Sequence, residues 1–432
     1  MLERVAKMAA PEQKTSMFFP WLICGLGALF YCYEYFLRIT PSVMADDLMR
    51  SYGLTAAAFG NLSAFYYYAY APMQLPVGVM MDRYGPRRLL TVATLLCAIG
   101  TYLFAISDQF AYAAAGRFLV GFGSAFAFVG VLKLAVIWLP PERFAMISGL
   151  ATALGAIGAI VGINSLAALV QIQGWRSTVY MTAILGIVLA IIIYAIVRDH
   201  RQTSQDAYAL GQSSYRSLFT SLFKLIRKPQ IWLNGIVGFL IYLPTSAFAD
   251  LWGVPYLENS YHLSTAHASG AISMIYLGWA IGAPLAGLIS DRMRRRCMPM
   301  VIGAMTAAIL IAMVLYIPAI PELGLYIILF IFGVFSSAQV IVFAVGRELS
   351  PAKLSGTAIA FTNMIVMLGG FIFQPVIGKL LEMHWHGKVF NGIHIYDVSD
   401  YRYALLVLPI GLMLAAIVTL FIRETNCRLQ EV

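Results

Sequence analysis

Long apolar runs recur along the whole chain, separated by short stretches rich in charge, proline or glycine. A bilayer-spanning helix needs about 20 mostly apolar residues. Twelve runs meet that length, near residues 17–39, 55–81, 88–107, 110–138, 143–170, 176–197, 229–257, 266–289, 298–318, 323–346, 355–382 and 401–422. The pattern predicts an all-α membrane protein. The longest polar interval, residues 198–228, falls between the sixth and seventh runs. It divides the chain into a tail (1–16), a six-helix bundle (17–197), a linker (198–228), a second six-helix bundle (229–422) and a closing tail (423–432). The linker ends in an amphipathic stretch, Ser217–Lys228, that reads as a surface helix.

Composition removes the alternatives. Of 432 residues 60% are hydrophobic and only 11% are charged, with a mean hydropathy of +0.79. A soluble globule carries about a quarter charged residues. Disordered, collagen-like and disulfide-stapled secreted classes are excluded by the same numbers. The N-terminal apolar run is too long for the core of a cleaved signal peptide. The five cysteines show no pairing pattern and read as buried thiols.

The net charge of +9 in a soluble protein would suggest nucleic acid. Here the distribution gives another meaning. With the N-terminus inside, 21 of the 29 Lys and Arg fall in cytoplasmic segments, 4 (Arg50, Arg176, Lys388, Arg402) in outer loops and 4 (Arg38, Arg117, Lys133, Lys379) within helices. This asymmetry predicts both termini in the cytoplasm of a cell-membrane protein. The bilayer is the expected partner. No nucleic-acid partner, cofactor or metal is expected, and a monomer suffices for function.

An internal repeat accompanies the twelve runs. Gly78-x-x-x-Asp82-Arg83-x-Gly85-x-Arg87-Arg88 joins the second run to the third, and Gly287-x-x-x-Asp291-Arg292 joins the eighth to the ninth, 209 residues later. Glu142-Arg143 before Gly149 is echoed by Arg347-Glu348 before Gly356 at an offset of 207. Two landmarks at nearly one offset indicate two structural repeats. In each loop the glycine allows close helix approach. The aspartate either caps a helix or pairs with arginines, so the loop serves as a conformational latch or as a topology signal.

At this point the sequence resembles the major facilitator superfamily. Its loop signature matches at Gly78, Asp82, Arg83, Gly85, Arg87 and Arg88, and its weaker repeat at Gly287, Asp291 and Arg292. Arg117-x-x-x-Gly121-x-Gly123 in the fourth run is similar to another of its elements. The resemblance implies two six-helix bundles around a central cavity, working by alternating access. The run Arg117…Lys133…Trp138-x-Pro140…Glu142-Arg143 looks like organic-anion:proton symporter branches, although Ser124 stands where those branches often carry a glutamate. No Gly-Pro pair follows Gly149, Gly155, Gly158 and Gly162 in the fifth run, which argues against drug:proton antiport.

A charge at a helix centre costs about 2.5–3.5 kcal/mol on insertion scales, so intramembrane charges need partners or water. Glu34 and Arg38 stand at i and i+4 on the first span, one above the other. Either Glu34 carries a proton while Arg38 anchors an anionic substrate, or the two form a permanent salt bridge. Arg117 lies at a similar depth and is a second anion-binding candidate. Lys133, about 24 Å away along the same helix, reads as a snorkelling or inner-gate residue. Asp250 is the second proton-coupling candidate, placed near the outer end of the seventh span, where interface capping fits equally. Tyr31, Tyr66 and Tyr70, with Gln339, Asn363 and Gln374, are candidate substrate contacts or inter-helix bonds. Lys379 and Glu382 read as a structural pair; His384 and His386 could hold a metal or sense acid pH, but loop histidines without function are the expectation.

No phosphate-binding Gly-x-x-x-x-Gly-Lys loop, His-Glu-x-x-His site or hydrolase elbow is present, so an enzyme is not expected. The leading expectation is proton-coupled symport of a small organic anion or amino acid. The alternative is a proton-driven exporter of a metabolite, siderophore or drug.

Overall fold

The computed structural model describes residues 18–139, 144–199, 215–351, 354–390 and 393–429. Among the described residues, eleven helices are long and apolar enough to cross a membrane: Phe18–Tyr52, Pro86–Ile106, Phe110–Trp138, Ala153–Gln173, Trp175–Ile196, Pro229–Tyr261, Thr265–Met293, Cys297–Tyr316, Glu322–Glu348, Ser355–His384 and Val398–Thr419. The second expected span is helical as Ala56–Met73 and Val77–Tyr84, with a turn at residues 74–76 between them. Its tyrosines, Asn61 and Gln74 lower its hydropathy. Pro72 and Pro76 remove two backbone donors around the break. The linker holds a helix at Tyr215–Ile226, where the amphipathic stretch was expected. Glu142 and Arg143 lie outside the described residues.

Many large apolar side chains, Ile184, Leu185, Ile191, Leu288, Ile309 and Ile410 among them, face outward on these helices. In water such a surface would aggregate. Against lipid tails it is the expected exterior of a membrane protein.

The helices before the linker pack largely on one another, as do those after it. The two sets meet along two seams: the second span against the eleventh, and the fifth against the eighth. Small residues make the contacts close. A Cβ on Gly121 of the fourth span would fall on the Tyr66 carbonyl of the second. No larger residue allows that approach, and it sets Tyr66 toward the first span.

The seventh span differs from a regular helix. Residues Pro244–Trp252 form a π-helical stretch between Pro229–Leu243 and Gly253–Tyr261. Pro244 has no N–H to continue the regular ladder, and the Gly253 N–H bonds the Phe248 carbonyl, five residues back. Such stretches re-aim side chains and concentrate at functional sites. The consequence here concerns Asp250. The helix continues to Tyr261, so Asp250 lies well inside the span rather than near its end, and it does not cap a terminus.

The segment after the eleventh span carries a two-residue antiparallel ladder, Val389–Phe390 with Ile393–His394. It lies at the end of the molecule opposite the two repeated loop motifs.

Candidate functional site

The first span delivers Glu34 and Arg38 to the interior on one helix face, and both are buried. Arg38 Nη2 and Nε donate to Glu34 Oε1 at 2.6 and 3.0 Å. The Tyr66 hydroxyl donates to the same oxygen. Three donors therefore converge on Oε1, while among the described residues Glu34 Oε2 has no hydrogen-bond partner. Arg38 reaches across the seam, with Nη1 donating to the Tyr242 hydroxyl of the seventh span at 3.3 Å. Its guanidinium lies 4.4 Å from the Tyr35 ring centroid and 5.2 Å from that of Tyr70. Aromatic faces stabilise a cation withdrawn from water. Tyr70 stacks on Tyr66, and Tyr31 packs on Tyr35.

Asp250 is buried on the other side of the seam. Tyr67 of the second span donates to Oδ2 at 2.5 Å, and Tyr276 of the eighth to Oδ1 at 2.5 Å. Among the described residues its side-chain partners are thus neutral tyrosines. Tyr66 and Tyr67 are consecutive residues of one helix, and each holds a carboxylate, one per helix set. A cavity of about 40 Å³ lies between the two centres, lined by Tyr35, Ala156, Tyr242, Thr245, Tyr276 and Trp279. Its size suits about one water molecule.

Arg117 is buried nearby, but its hydrogen bonds go to backbone carbonyls: Leu37 at 2.9 Å, and Arg38 and Ser63 at 3.4 Å. It joins the fourth span to the first two and lies 5.1 Å from the Tyr66 ring centroid. Gln374 Nε2 bonds the Ser246 carbonyl at 2.8 Å, at the edge of the π-helical stretch. Asn363 bonds Gln74 across the seam at 2.9 Å. Gln339 is buried in a 3₁₀ break of the tenth span, its Nε2 without a partner. Sequence reasoning did not select Tyr35, Tyr67, Tyr242 or Tyr276. The tyrosine run at residues 66–68 was the available signal for Tyr67.

In the first loop motif Asp82 is held by Lys133 of the fourth span at 2.7 Å. Arg87 donates from Nε and Nη2 to the Tyr194 carbonyl at 3.1 and 2.9 Å, and its backbone N–H bonds Asp199 at 3.0 Å. Gly85 has a φ of +80°, and a Cβ there would press on the Asp199 carboxylate. Arg83 and Arg88 line a recess of about 470 Å³ beside them. Among the described residues, a Cβ on Gly78 or Gly287 would meet no atom within 4 Å.

In the second copy Asp291 bonds Arg296, not Arg292, at 2.7 Å. Arg296 also pairs with Glu348 at 2.7 Å. Glu424 accepts from the backbone N–H of Arg296 and Cys297 at 2.8 and 3.0 Å. Partial burial pushes the Glu424 carboxyl up, but these backbone donors outweigh it and hold it below its ordinary value. Lys379 and Glu382 do not form the expected pair: Glu382 accepts from Tyr396 at 2.6 Å and faces His394 at 2.8 Å.

The two ion-pair clusters differ in burial, and this ranks their mutants. Lys133 and Asp82 keep 17% and 27% of their side-chain surface, so Lys133→Met should cost under about 1 kcal/mol. Arg296 and Glu348 keep 8% and 10%, so Arg296→Met should cost more, because it leaves a buried carboxylate unpaired. Thermal unfolding in detergent checks the order; the reverse ranking would contradict this account.

Two sets of membrane helices enclosing buried charges at their seam define a polytopic membrane transporter, not an enzyme. The chain belongs to the Major Facilitator Superfamily, whose profile matches residues 24–374. Among its relatives is a probable hexose phosphate transport protein of Chlamydia trachomatis, 23% identical over 89% of this chain and 90% of that one. Another is the probable sulfoacetate transporter SauU of Cupriavidus necator, 23% identical over 64% of this chain and 66% of that one. A solved bacterial homologue of the human lysosomal transporter Spinster, inward-facing and occupied, shares the fold at a TM-score of 0.76, with 16% identity over 94% of this chain and 97% of that chain.

Proposed function

We propose that this transporter couples a proton to the uptake of a small organic anion, with Glu34 as proton carrier and Arg38 as anion anchor. The carrying observation is the unequal bonding of Glu34: Oε1 takes three donors, and Oε2 is buried without any. A proton on Oε2 would neutralise the carboxylate and weaken its hold on Arg38. The freed guanidinium presents a planar fork of donors suited to carboxylate, sulfonate or phosphate. Its bond to Tyr242 spans the two helix sets, so its partner bears on how the sets sit together. Hexose phosphate and sulfoacetate, the substrates named for the two relatives, are both anions. The excess of Lys and Arg at the loop-motif end favours a cell-membrane orientation with both termini cytoplasmic.

Proteoliposomes test this reading. An inward proton gradient should drive accumulation of at least one anion from a panel of sugar phosphates, sulfonates and carboxylates, with proton entry reported by a lumenal dye. If every transported anion moves only in exchange for another and no proton enters, the coupling proposed here is wrong.

A further inference from the structure

We propose that His384, His386 and Asp400 form a binding site for a divalent first-row transition metal ion, at the end opposite the loop motifs. The three side chains come from the last turn of the eleventh span, the segment after it and the start of the twelfth. One imidazole nitrogen from each histidine and a carboxylate oxygen lie within 4.8 Å of one another. Both Nδ1 atoms stand 2.9 Å from the same oxygen, Asp400 Oδ1.

The site is built rather than a chance meeting of surface groups. Asp400 is 1% exposed, and its second oxygen accepts from the Asp397 N–H at 2.8 Å in a reciprocal capping box. That bond fixes the carboxylate and leaves Oδ1 for the histidines. The His384 ring stacks on Tyr403 with centroids 4.7 Å apart and planes within 20°. Trp385 stacks on His394 at 3.6 Å, and Lys388 is engaged by Asp397 at 2.6 Å, away from Oδ1. The intervening segment is thereby held in place. Outer-shell bonds of this kind orient metal ligands.

The donor set selects the ion class. Two imidazoles and one carboxylate suit zinc or its neighbours, whereas calcium and magnesium require mostly oxygen. A tetrahedral ion about 2.0 Å from each donor needs them about 3.3 Å apart, so each nitrogen–oxygen separation of 2.9 Å widens by a few tenths of an ångström. The histidines are partly exposed, so a fourth position faces solvent. Tyr396 of the same segment accepts from the Ala56 N–H of the other helix set at 3.0 Å, so a bound ion would stiffen a segment that touches the seam.

Calorimetric titration of the purified full-length protein in detergent with Zn²⁺ tests the site. One tight equivalent is expected in the wild type, weakened at least about tenfold in His384→Gln and in His386→Gln. Both positions are exposed enough to leave the fold intact, which an unchanged elution profile and metal-free melting temperature would verify. His267→Gln, a histidine outside the cluster that faces Glu322, should bind as the wild type does. Co²⁺ should give tetrahedral visible absorbance in the wild type and lose it in the double variant. Zn²⁺ binding no tighter in the wild type than in His384→Gln/His386→Gln, or equal loss in His267→Gln, would overturn the proposal.

Discussion

Glu34→Gln is expected to abolish proton-driven accumulation and to lower the melting temperature more than Arg38→Met does. The two substitutions break the same buried pair, yet they leave different groups behind. Arg38 stripped of Glu34 stays charged, because a guanidinium does not give up its proton in a protein. Removing one partner of a buried pair typically costs about 3–5 kcal/mol for this reason. Glu34 stripped of Arg38 takes up a proton and becomes a neutral acid, still bonded to Tyr66. Arg38→Met therefore costs less, and it abolishes anion binding instead. The double variant Glu34→Gln/Arg38→Met should be more stable than Glu34→Gln alone, since no uncompensated charge remains. Melting curves of the four proteins, with ligand binding measured in parallel, check this. Equal losses in the two single variants, or a double variant at the sum of both, would show that the pair is not a coupled buried unit.

Much of this was legible in the sequence, because it rests on periodicity and charge counts. The spans, the amphipathic stretch of the linker, the repeated loops and the Glu34–Arg38 pair are local features, fixed within a few helical turns. What stayed hidden depends on pairings between distant segments. Tyr242 meets Arg38 across 204 residues, and Tyr67 meets Asp250 across 183. No spacing rule reports such contacts. Asp250 reads as lying near a helix end because Pro244 and Gly253 read as helix breakers, whereas the π-helical stretch carries the chain through them to Tyr261. Lys133 reads as a snorkelling or inner-gate residue because its partner, Asp82, lies on another helix. Arg117 read as a second anion anchor from depth alone; which way its guanidinium turns depends on the packing of three spans.

Asp250→Asn should separate coupling from transport. In this variant gradient-driven accumulation falls to background, while substrate counterflow with equal pH on both sides persists. The expectation follows from the neighbours of Asp250. Both are tyrosine hydroxyls, which donate or accept, so an amide keeps one bond as an acceptor and makes the other as a donor. No charged partner is left behind, so the stability cost stays well below that of Glu34→Gln. What disappears is the carboxylate of the second helix set. Tyr67 belongs to the first set, so under the proposed coupling its bond to Asp250 would break as the sets part, and a proton on Asp250 would weaken that bond. Paired counterflow and gradient-driven assays in one proteoliposome preparation decide the matter. Loss of both activities together would make Asp250 part of substrate binding, and retention of both would leave proton coupling to Glu34 alone.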